Sequence, residues 1–220
     1  MKTNLILFFY IVACGVQLYS CIPPMHLKLR GATKLMLMPL LALWLVFSLD
    51  HPPILIVLGI ICGFVGDLFL LAGKDDIRNF VLGSFCFAGG HVLYAVYFLK
   101  HLGGPVHPIP VIVAVLCYGS IILFFIKRLS KNMNKKLLVG LISYFSIIAF
   151  MSISAFLFMI TNRGIAYCLP FAASLMFMLS DGFLSFDKFR KKIKYRHLIV
   201  MITYILAQSG ITFGIYWTLL

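Results

Sequence analysis

The chain has 220 residues, of which 62% are hydrophobic and only 11% are charged, and its formal net charge is +13. Soluble domains have about 45–50% apolar and about 25% charged residues, so this composition excludes an ordinary soluble protein. Apolar runs of roughly 17 to 25 residues are what α-helices need to cross a bilayer. We therefore predict an all-α integral membrane protein, folded as a polytopic helical bundle.

Eight apolar runs follow one another along the chain, separated by short charged or proline-rich joints. In chain order, the predicted transmembrane helices span residues 4–22, 35–49, 54–72, 80–99, 109–126, 137–160, 166–186 and 197–219. The second run is the shortest, and we expect its helix to extend back through Lys34, whose long side chain can reach the interface. The joints are too short for a soluble domain, so residues 1–220 are predicted to form a single transmembrane domain.

The distribution of basic residues predicts how the chain crosses the membrane. Sixteen of the nineteen lysines and arginines fall in alternate joints. They are Lys28, Arg30, Lys34, Lys74, Arg78, Lys127, Arg128, Lys131, Lys135, Lys136, Lys188, Arg190, Lys191, Lys192, Lys194 and Arg196. The other three are Lys2, Lys100 and Arg163. Under the positive-inside rule, this bias places both termini on the non-cytoplasmic side.

The basic residues do not indicate a nucleic-acid partner. They lie in separate joints beside helix ends, so we read them as a topology signal, with attraction to anionic membrane lipids as a second effect. Residues 1–21 also resemble a secretory signal, with a cleavage box ending at Cys21. Cleavage there would leave Lys28, Arg30 and Lys34 outside and invert the charge bias, so we expect the first helix to be retained.

Two aspartates lie inside predicted transmembrane helices. Asp67 follows Gly66 in the third helix, and Asp181 lies between Ser180 and Gly182 in the seventh. Both helices are predicted to run toward the cytoplasm, and a rise of about 1.5 Å per residue puts each carboxyl roughly 7 to 9 Å from that end. An aspartate inside a membrane costs about 2.5 to 3.5 kcal/mol on insertion scales, so both are functional candidates. A hydrogen bond to a neighbouring helix is the structural alternative.

The fourth and eighth helices each carry a polar stripe. In the fourth helix, Ser84 and His91 share a face with Tyr94 one turn further, and in the eighth Tyr204 and Gln208 are one turn apart. Hydrogen bonding between helices explains such residues as readily as catalysis does. They are candidate partners of the two aspartates.

The remaining acids and the cysteines indicate no further site. Four aspartates are expected in solvated joints or at helix ends, namely Asp50, Asp75, Asp76 and Asp187. The six cysteines lack the paired spacing of a metal site, so we expect small core residues. We predict neither a cofactor nor a metal, although Asp67, Asp181 and His91 could converge on an ion in a metal-dependent hydrolase.

The polar and small residues form an ordered pattern over most of the chain. Its pieces are Lys34 with Pro39; Gly66-Asp67 with Leu71; Gly83, Phe87, His91 and Tyr94; Tyr144 with Met151; Ser180-Asp181 through Phe189; and Tyr204 with Ala207-Gln208. This pattern resembles the YhhN-like lysoplasmalogenase family of eight-helix membrane hydrolases. Three departures concern substrate choice. Cys62-Gly63-Phe64 replaces a serine that often stands three or four residues before the first aspartate, and Thr203-Tyr204 replaces a tyrosine pair. Gly182-Phe183-Leu184-Ser185-Phe186 replaces a stretch after Asp181 that is usually small and aliphatic.

The resemblance implies hydrolysis of the 1-alkenyl ether of a lysoplasmalogen to a fatty aldehyde and glycerophosphoethanolamine or glycerophosphocholine. It makes Asp67 and Asp181 the catalytic acid–base pair, and Lys34 a contact for the lipid phosphate at the cytoplasmic end. The expected substrate-binding residues are Lys34, His91, Tyr94, Ser180, Tyr204 and Gln208. The implied partners are the lysophospholipid substrate and membrane lipids, with no obligate protein partner.

A membrane transporter or lipid-binding protein is the alternative from another class. Such a protein would use the same aspartates to bind protons or substrate. Pro39 and Pro170 lie inside predicted helices, and they favour keeping this alternative because broken helices form the binding sites of transporters. The expected location is the endoplasmic reticulum in a eukaryote and the inner or plasma membrane in a bacterium.

Overall fold

The computed structural model describes residues 2–23, 27–73, 76–130, 134–190 and 194–220. These residues form eight α-helices: α1 (Lys2–Ser20), α2 (Leu27–Ser48), α3 (Ile54–Ala72), α4 (Ile77–Lys100), α5 (Pro108–Leu129), α6 (Lys135–Asn162), α7 (Ile165–Phe189) and α8 (Arg196–Thr218). All eight are long and apolar enough to cross a membrane. The predicted all-α architecture with eight helices is confirmed for the described residues.

Several helices extend further into the charged joints than the apolar runs predict. α2 begins at Leu27 rather than at residue 35, and α7 continues to Phe189 rather than ending at residue 186. Lysine and arginine favour helices and lay their methylene stems along apolar surface, so hydropathy alone ends a helix too early. α2 and α7 also continue without interruption through Pro39 and Pro170.

The chain divides into two compact units. The first comprises Met1–Tyr94 with Leu219–Leu220, and the second comprises Ala95–Thr218. α1, α2, α3 and most of α4 therefore belong to the first unit, and α5 to α8 belong to the second. Asp67 lies in the first unit and Asp181 in the second. The expectation of a single transmembrane domain stays a prediction.

Paired glycines bring α3 and α4 close together within the first unit. A Cβ atom added at Gly83 would lie 3.1 Å from the carbonyl oxygen of Gly66, and one at Gly90 would lie 2.9 Å from that of Gly59. Small residues allow helix backbones to approach this closely. The separation between Gly59 and Gly66 on α3 equals that between Gly83 and Gly90 on α4. The two contacts between these antiparallel helices therefore fix the register of α3 against α4.

Two aromatic rings of α4 cover the same glycines of α3. A Cβ atom at Gly66 would lie 2.8 Å from the ring of Phe87, and one at Gly59 would overlap the ring of Tyr94. Tyr94 is only 1% exposed, so its ring has little room to move. Packing on the α3 backbone therefore accounts for the position of Tyr94.

Gly59→Ala should lower the thermal unfolding temperature of the purified protein in detergent. The added methyl group would displace the buried ring of Tyr94, and overpacking of this kind costs about 1–3 kcal/mol. Gly15→Ala is the matched control, because a Cβ atom at Gly15 meets nothing within 4 Å. The control should unfold at or slightly above the wild-type temperature, since alanine favours helix over glycine. An unchanged unfolding temperature for Gly59→Ala would contradict the packing described.

In the second unit, α7 and α8 pack tightly as an antiparallel pair. A Cβ atom at Gly214 would lie 2.5 Å from Cδ of Pro170, and one at Gly210 would lie 2.7 Å from Cβ of Ala173. The proline ring inside α7 therefore rests directly on the backbone of α8. This close contact holds the helix that carries Asp181.

A chain of hydroxyl groups joins three helices inside the second unit. The Tyr118 and Ser152 oxygens are 2.5 Å apart, and the Ser152 and Ser174 oxygens are 2.6 Å apart. Ser174 donates its proton to the carbonyl of Phe171 at 2.6 Å. Because each hydroxyl has one proton, Tyr118 donates to Ser152, and Ser152 donates to Ser174. Hydrogen bonds between side chains hold membrane helices together, and this chain of bonds links α5 to α6 and α6 to α7.

Candidate active site

Asp67 forms a buried ion pair with Lys34. The Asp67 Oδ1 atom lies 2.7 Å from the Lys34 Nζ atom, and the two side chains are 2% and 16% exposed. Two opposite charges this close attract each other strongly away from water, so the contact holds the two side chains together. The structure thus brings together two residues that were predicted for different parts of the substrate.

His91 and Tyr94 lie on α4, the helix that packs against the Asp67 helix. Both are 1% exposed. His91 is one turn beyond Phe87, whose ring covers Gly66, the neighbour of Asp67. Both residues of the α4 polar stripe are therefore buried, while their roles in binding stay predictions.

Asp181 accepts a hydrogen bond from Tyr144. The phenol oxygen of Tyr144 on α6 lies 2.6 Å from Oδ2 of Asp181 on α7, and Asp181 is 8% exposed. Tyr144 belonged to the family pattern without an assigned role. Its contact fixes the orientation of the Asp181 carboxyl group, which makes Tyr144 a positioning residue.

The other predicted site residues of the second unit are buried, and two of them contact the neighbouring helix across the α7–α8 pair. The Ser180 hydroxyl donates to the backbone carbonyl of Val200 at 3.3 Å. Tyr204 packs edge-to-face on Phe177, with ring centroids 6.1 Å apart, and Gln208 is 1% exposed. The contacts of Ser180 and Tyr204 stabilise the helix pair, and substrate binding by all three residues stays a prediction.

Asp187 does not lie in a solvated joint, which corrects the sequence-based expectation. It is 3% exposed, and its Oδ2 atom lies 2.5 Å from Nη1 of Arg196. Arg196 Nη2 also lies 2.9 Å from Nε2 of His197. The physical reason is that α7 continues past its predicted end and carries Asp187 on the side that meets α8. The pair therefore closes the α7–α8 hairpin at the end nearest its joint.

Sequence reasoning missed a polar cluster between α1 and α2. Gln17 and Ser20 on α1 and Thr33 on α2 are all buried. The Thr33 hydroxyl donates to Oε1 of Gln17, and the Ser20 hydroxyl donates to the Gln17 carbonyl at 2.7 Å. Burial raises the pKa of the Cys21 thiol, and the nearby positive charge of Arg30 partly opposes that rise. The available signal was a glutamine within an otherwise apolar run.

The described ranges contain no group of three or more histidine, cysteine or acidic side chains that could hold a metal ion. The alternative in which Asp67, Asp181 and His91 share an ion stays a prediction. Loss of activity on treatment with a chelator is the measurement that would support it.

Comparison with known proteins places the chain in a family. The sequence profile of the YhhN family matches residues 29–215. A protein from Bos taurus named lysoplasmalogenase TMEM86A is 31% identical over 183 residues, which cover 78% of this chain and 72% of the bovine protein. No solved structure matches the chain. Because the family match covers most of the sequence, from the start of α2 into α8, the chain belongs to the YhhN family.

Proposed function

We propose that the chain is a multi-pass membrane hydrolase that cleaves the 1-alkenyl ether of lysoplasmalogens to a fatty aldehyde and a glycerophospho-alcohol. Family membership and the name of the bovine relative support the reaction and the substrate class. The eight long apolar helices support the membrane location. The observation that carries the proposal is the buried Asp67–Lys34 pair, because charged groups inside a membrane are costly and mark functional sites.

Cleavage of an alkenyl ether requires both a proton donor and a carboxylate. Protonation of the alkenyl carbon remote from oxygen forms an oxocarbenium ion, to which water adds with loss of a proton. The resulting hemiacetal collapses to the aldehyde and the glycerol hydroxyl. One group must donate the first proton, while another stabilises the cation and accepts the proton from water. Paired carboxylates divide such roles in glycosidases.

The ion pair with Lys34 assigns Asp67 the carboxylate role in this proposal. As an anion, Asp67 is suited to stabilise the oxocarbenium ion and to accept the proton from water. Proton donation then falls to Asp181, which Tyr144 orients. The residues proposed to position the ether and the water are His91, Tyr94, Ser180, Tyr204 and Gln208.

The proposed orientation has both termini on the non-cytoplasmic side and the site in the cytoplasmic half of the bilayer. It is supported by the concentration of basic residues in alternate joints. A lysolipid in the inner leaflet would keep its head group at the surface while its alkenyl chain enters between helices. Epitope tags at the two termini should both be accessible only from the non-cytoplasmic face of sealed vesicles.

Product analysis in heavy water tests the proposed reaction. Protonation of the alkenyl carbon should place one deuterium on the carbon next to the aldehyde, and mass spectrometry of the trapped aldehyde would detect it. The reaction is run with purified protein in detergent, and the label in the product is compared with that in the unreacted lipid. Aldehyde without this deuterium would reject the protonation step.

A further inference from the structure

Phe125 on α5 packs against other helices of the second unit, although much of α5 is exposed. Leu116, Leu123 and Phe124 on the same helix are 68%, 58% and 59% exposed, as suits side chains that face lipid, whereas Phe125 is half-buried. Its ring stacks on that of Phe145 in α6, with centroids 5.2 Å apart and planes 19° from parallel. Phe145 is 3% exposed, so the stack reaches into the core of the second unit.

The ring of Phe125 also lies over a glycine of α7. A Cβ atom added at Gly182 would lie 3.0 Å from Cζ of Phe125. Carbon atoms in good contact are about 3.5–4.0 Å apart, so a larger residue at this position would press on the ring. Because Gly182 has no side chain, the ring contacts α6 and α7 at once.

Each of these contacts lies beside one partner of the hydrogen bond between Tyr144 and Asp181. Phe145 follows Tyr144 on α6, and Gly182 follows Asp181 on α7. All of these residues belong to the second unit. Consecutive residues of a helix are about 1.5 Å apart along its axis and move together, so the ring of Phe125 braces the two helices at the level of the hydrogen bond.

The hydrogen bond depends on the spacing between α6 and α7. The phenol oxygen of Tyr144 lies 2.6 Å from Oδ2 of Asp181. Hydrogen bonds between two oxygens span about 2.5–3.0 Å, so moving the helices apart by about 1 Å would break this one. A contact that fixes the spacing therefore also fixes the orientation of the carboxyl group.

We propose that Phe125 is a positioning residue, whose ring holds α6 and α7 at the spacing in which Tyr144 bonds to Asp181. Its importance for turnover rests on the proposed function, in which Asp181 donates the first proton. The packing itself does not depend on that function. α5, which carries none of the predicted site residues, thereby contributes one ring to the candidate site.

The reactivity of the Asp181 carboxyl group tests this role without requiring turnover. Dicyclohexylcarbodiimide is an apolar reagent that couples to carboxyl groups inside membrane proteins, and mass spectrometry of peptides measures the labelling rate of each aspartate. Tyr144→Phe should raise the labelling rate of Asp181 by about tenfold, the scale of one lost hydrogen bond to a charged group. Phe125→Leu should raise it by at least about threefold, the low end of that scale. The labelling rate of Asp67 is the internal reference and should stay unchanged.

A double variant shows whether Phe125 acts through Tyr144. Phe125→Leu combined with Tyr144→Phe should label Asp181 at the rate of Tyr144→Phe alone, because no hydrogen bond remains to be lost. A general loosening of the helices would instead add its own increase to that rate. Phe150→Leu is the matched control, since it removes a ring from an exposed position of α6, and it should label at the wild-type rate.

Gly182→Ala perturbs the same contact from α7 and leaves the ring in place. The added methyl group would displace Phe125, so labelling of Asp181 should rise as in Phe125→Leu. Gly119→Ala on α5 is its control, because a Cβ atom at Gly119 meets nothing within 4 Å. In aldehyde release, both Phe125→Leu and Gly182→Ala should lower kcat with little change in KM.

Four results would overturn the positioning role. They are an unchanged labelling rate of Asp181 in Tyr144→Phe, wild-type labelling in both Phe125→Leu and Gly182→Ala, additive effects in the double variant, and a raised KM with wild-type labelling. The last would indicate that the ring contacts the lipid chain. The expected labelling pattern without aldehyde release by the wild-type protein would reject the hydrolase and leave the positioning role. Aldehyde release with wild-type labelling in these variants would do the reverse.

Discussion

Asp67→Asn should lower the turnover of lysoplasmalogen by at least about 10²-fold, the scale of lost acid–base catalysis. Asparagine has nearly the same shape, but it carries no charge to stabilise the oxocarbenium ion and accepts no proton from water. The measurement is the rate of aldehyde release per folded protein in detergent. Asp50→Asn is the matched control, because Asp50 is exposed in a joint, and it should retain wild-type turnover.

Variants of Lys34, the partner of Asp67, distinguish a catalytic role of Asp67 from a purely structural one. Lys34→Met leaves a buried carboxylate without its ammonium group, and breaking a buried ion pair costs about 3–5 kcal/mol. The double variant Lys34→Met, Asp67→Asn should recover much of the thermal stability, because neither charge remains. It should not recover turnover. A stable double variant that releases aldehyde at the wild-type rate would show that Asp67 serves the fold alone.

Asp181→Asn should also lower turnover by at least about 10²-fold, because the amide is not an acid that can protonate the alkenyl carbon. Tyr144→Phe keeps the ring and removes the hydrogen bond that orients the carboxyl group. We expect a loss of about tenfold in turnover, the scale of one buried hydrogen bond. Both rates are measured as aldehyde release at saturating substrate.

Asp187 provides the matched control on the same helix, since it is buried and charged but paired with Arg196. Asp187→Asn should lower the unfolding temperature, because weakening a buried ion pair costs roughly 1–3 kcal/mol when the arginine is partly exposed. Its turnover per folded protein should stay close to wild type. Wild-type turnover in Asp181→Asn, or an inactive but fully stable Asp187→Asn, would contradict these roles.

The sequence predicted helices best where local signals mark both ends. α3 occupies the predicted residues 54–72, with Pro53 before it and Gly73 after it. Proline and glycine end helices for reasons that lie in their own backbone, so no tertiary information is needed. The start of α2 was misplaced because Lys28 and Arg30 lower the local hydropathy without opposing a helix.

The sequence identified the buried aspartates but not their partners. Asp67 and Asp181 stand out because they are acids inside apolar runs. Helical periodicity assigns a residue to a face of its own helix, while the pairing of Lys34 with Asp67 depends on how α2 is rotated against α3. The contact between Thr33 and Gln17 could not be predicted from the sequence for the same reason.

Aldehyde release by the purified wild-type protein decides whether the chain is an alkenyl-ether hydrolase. The protein in detergent is offered a lysoplasmalogen and, in parallel, the ester lysophospholipid with the same chain and head group. We expect fatty aldehyde from the alkenyl lipid and no fatty acid from the ester. Failure to release aldehyde from any alkenyl lysolipid would contradict the hydrolase and favour a transporter or lipid-binding protein built on the same aspartates.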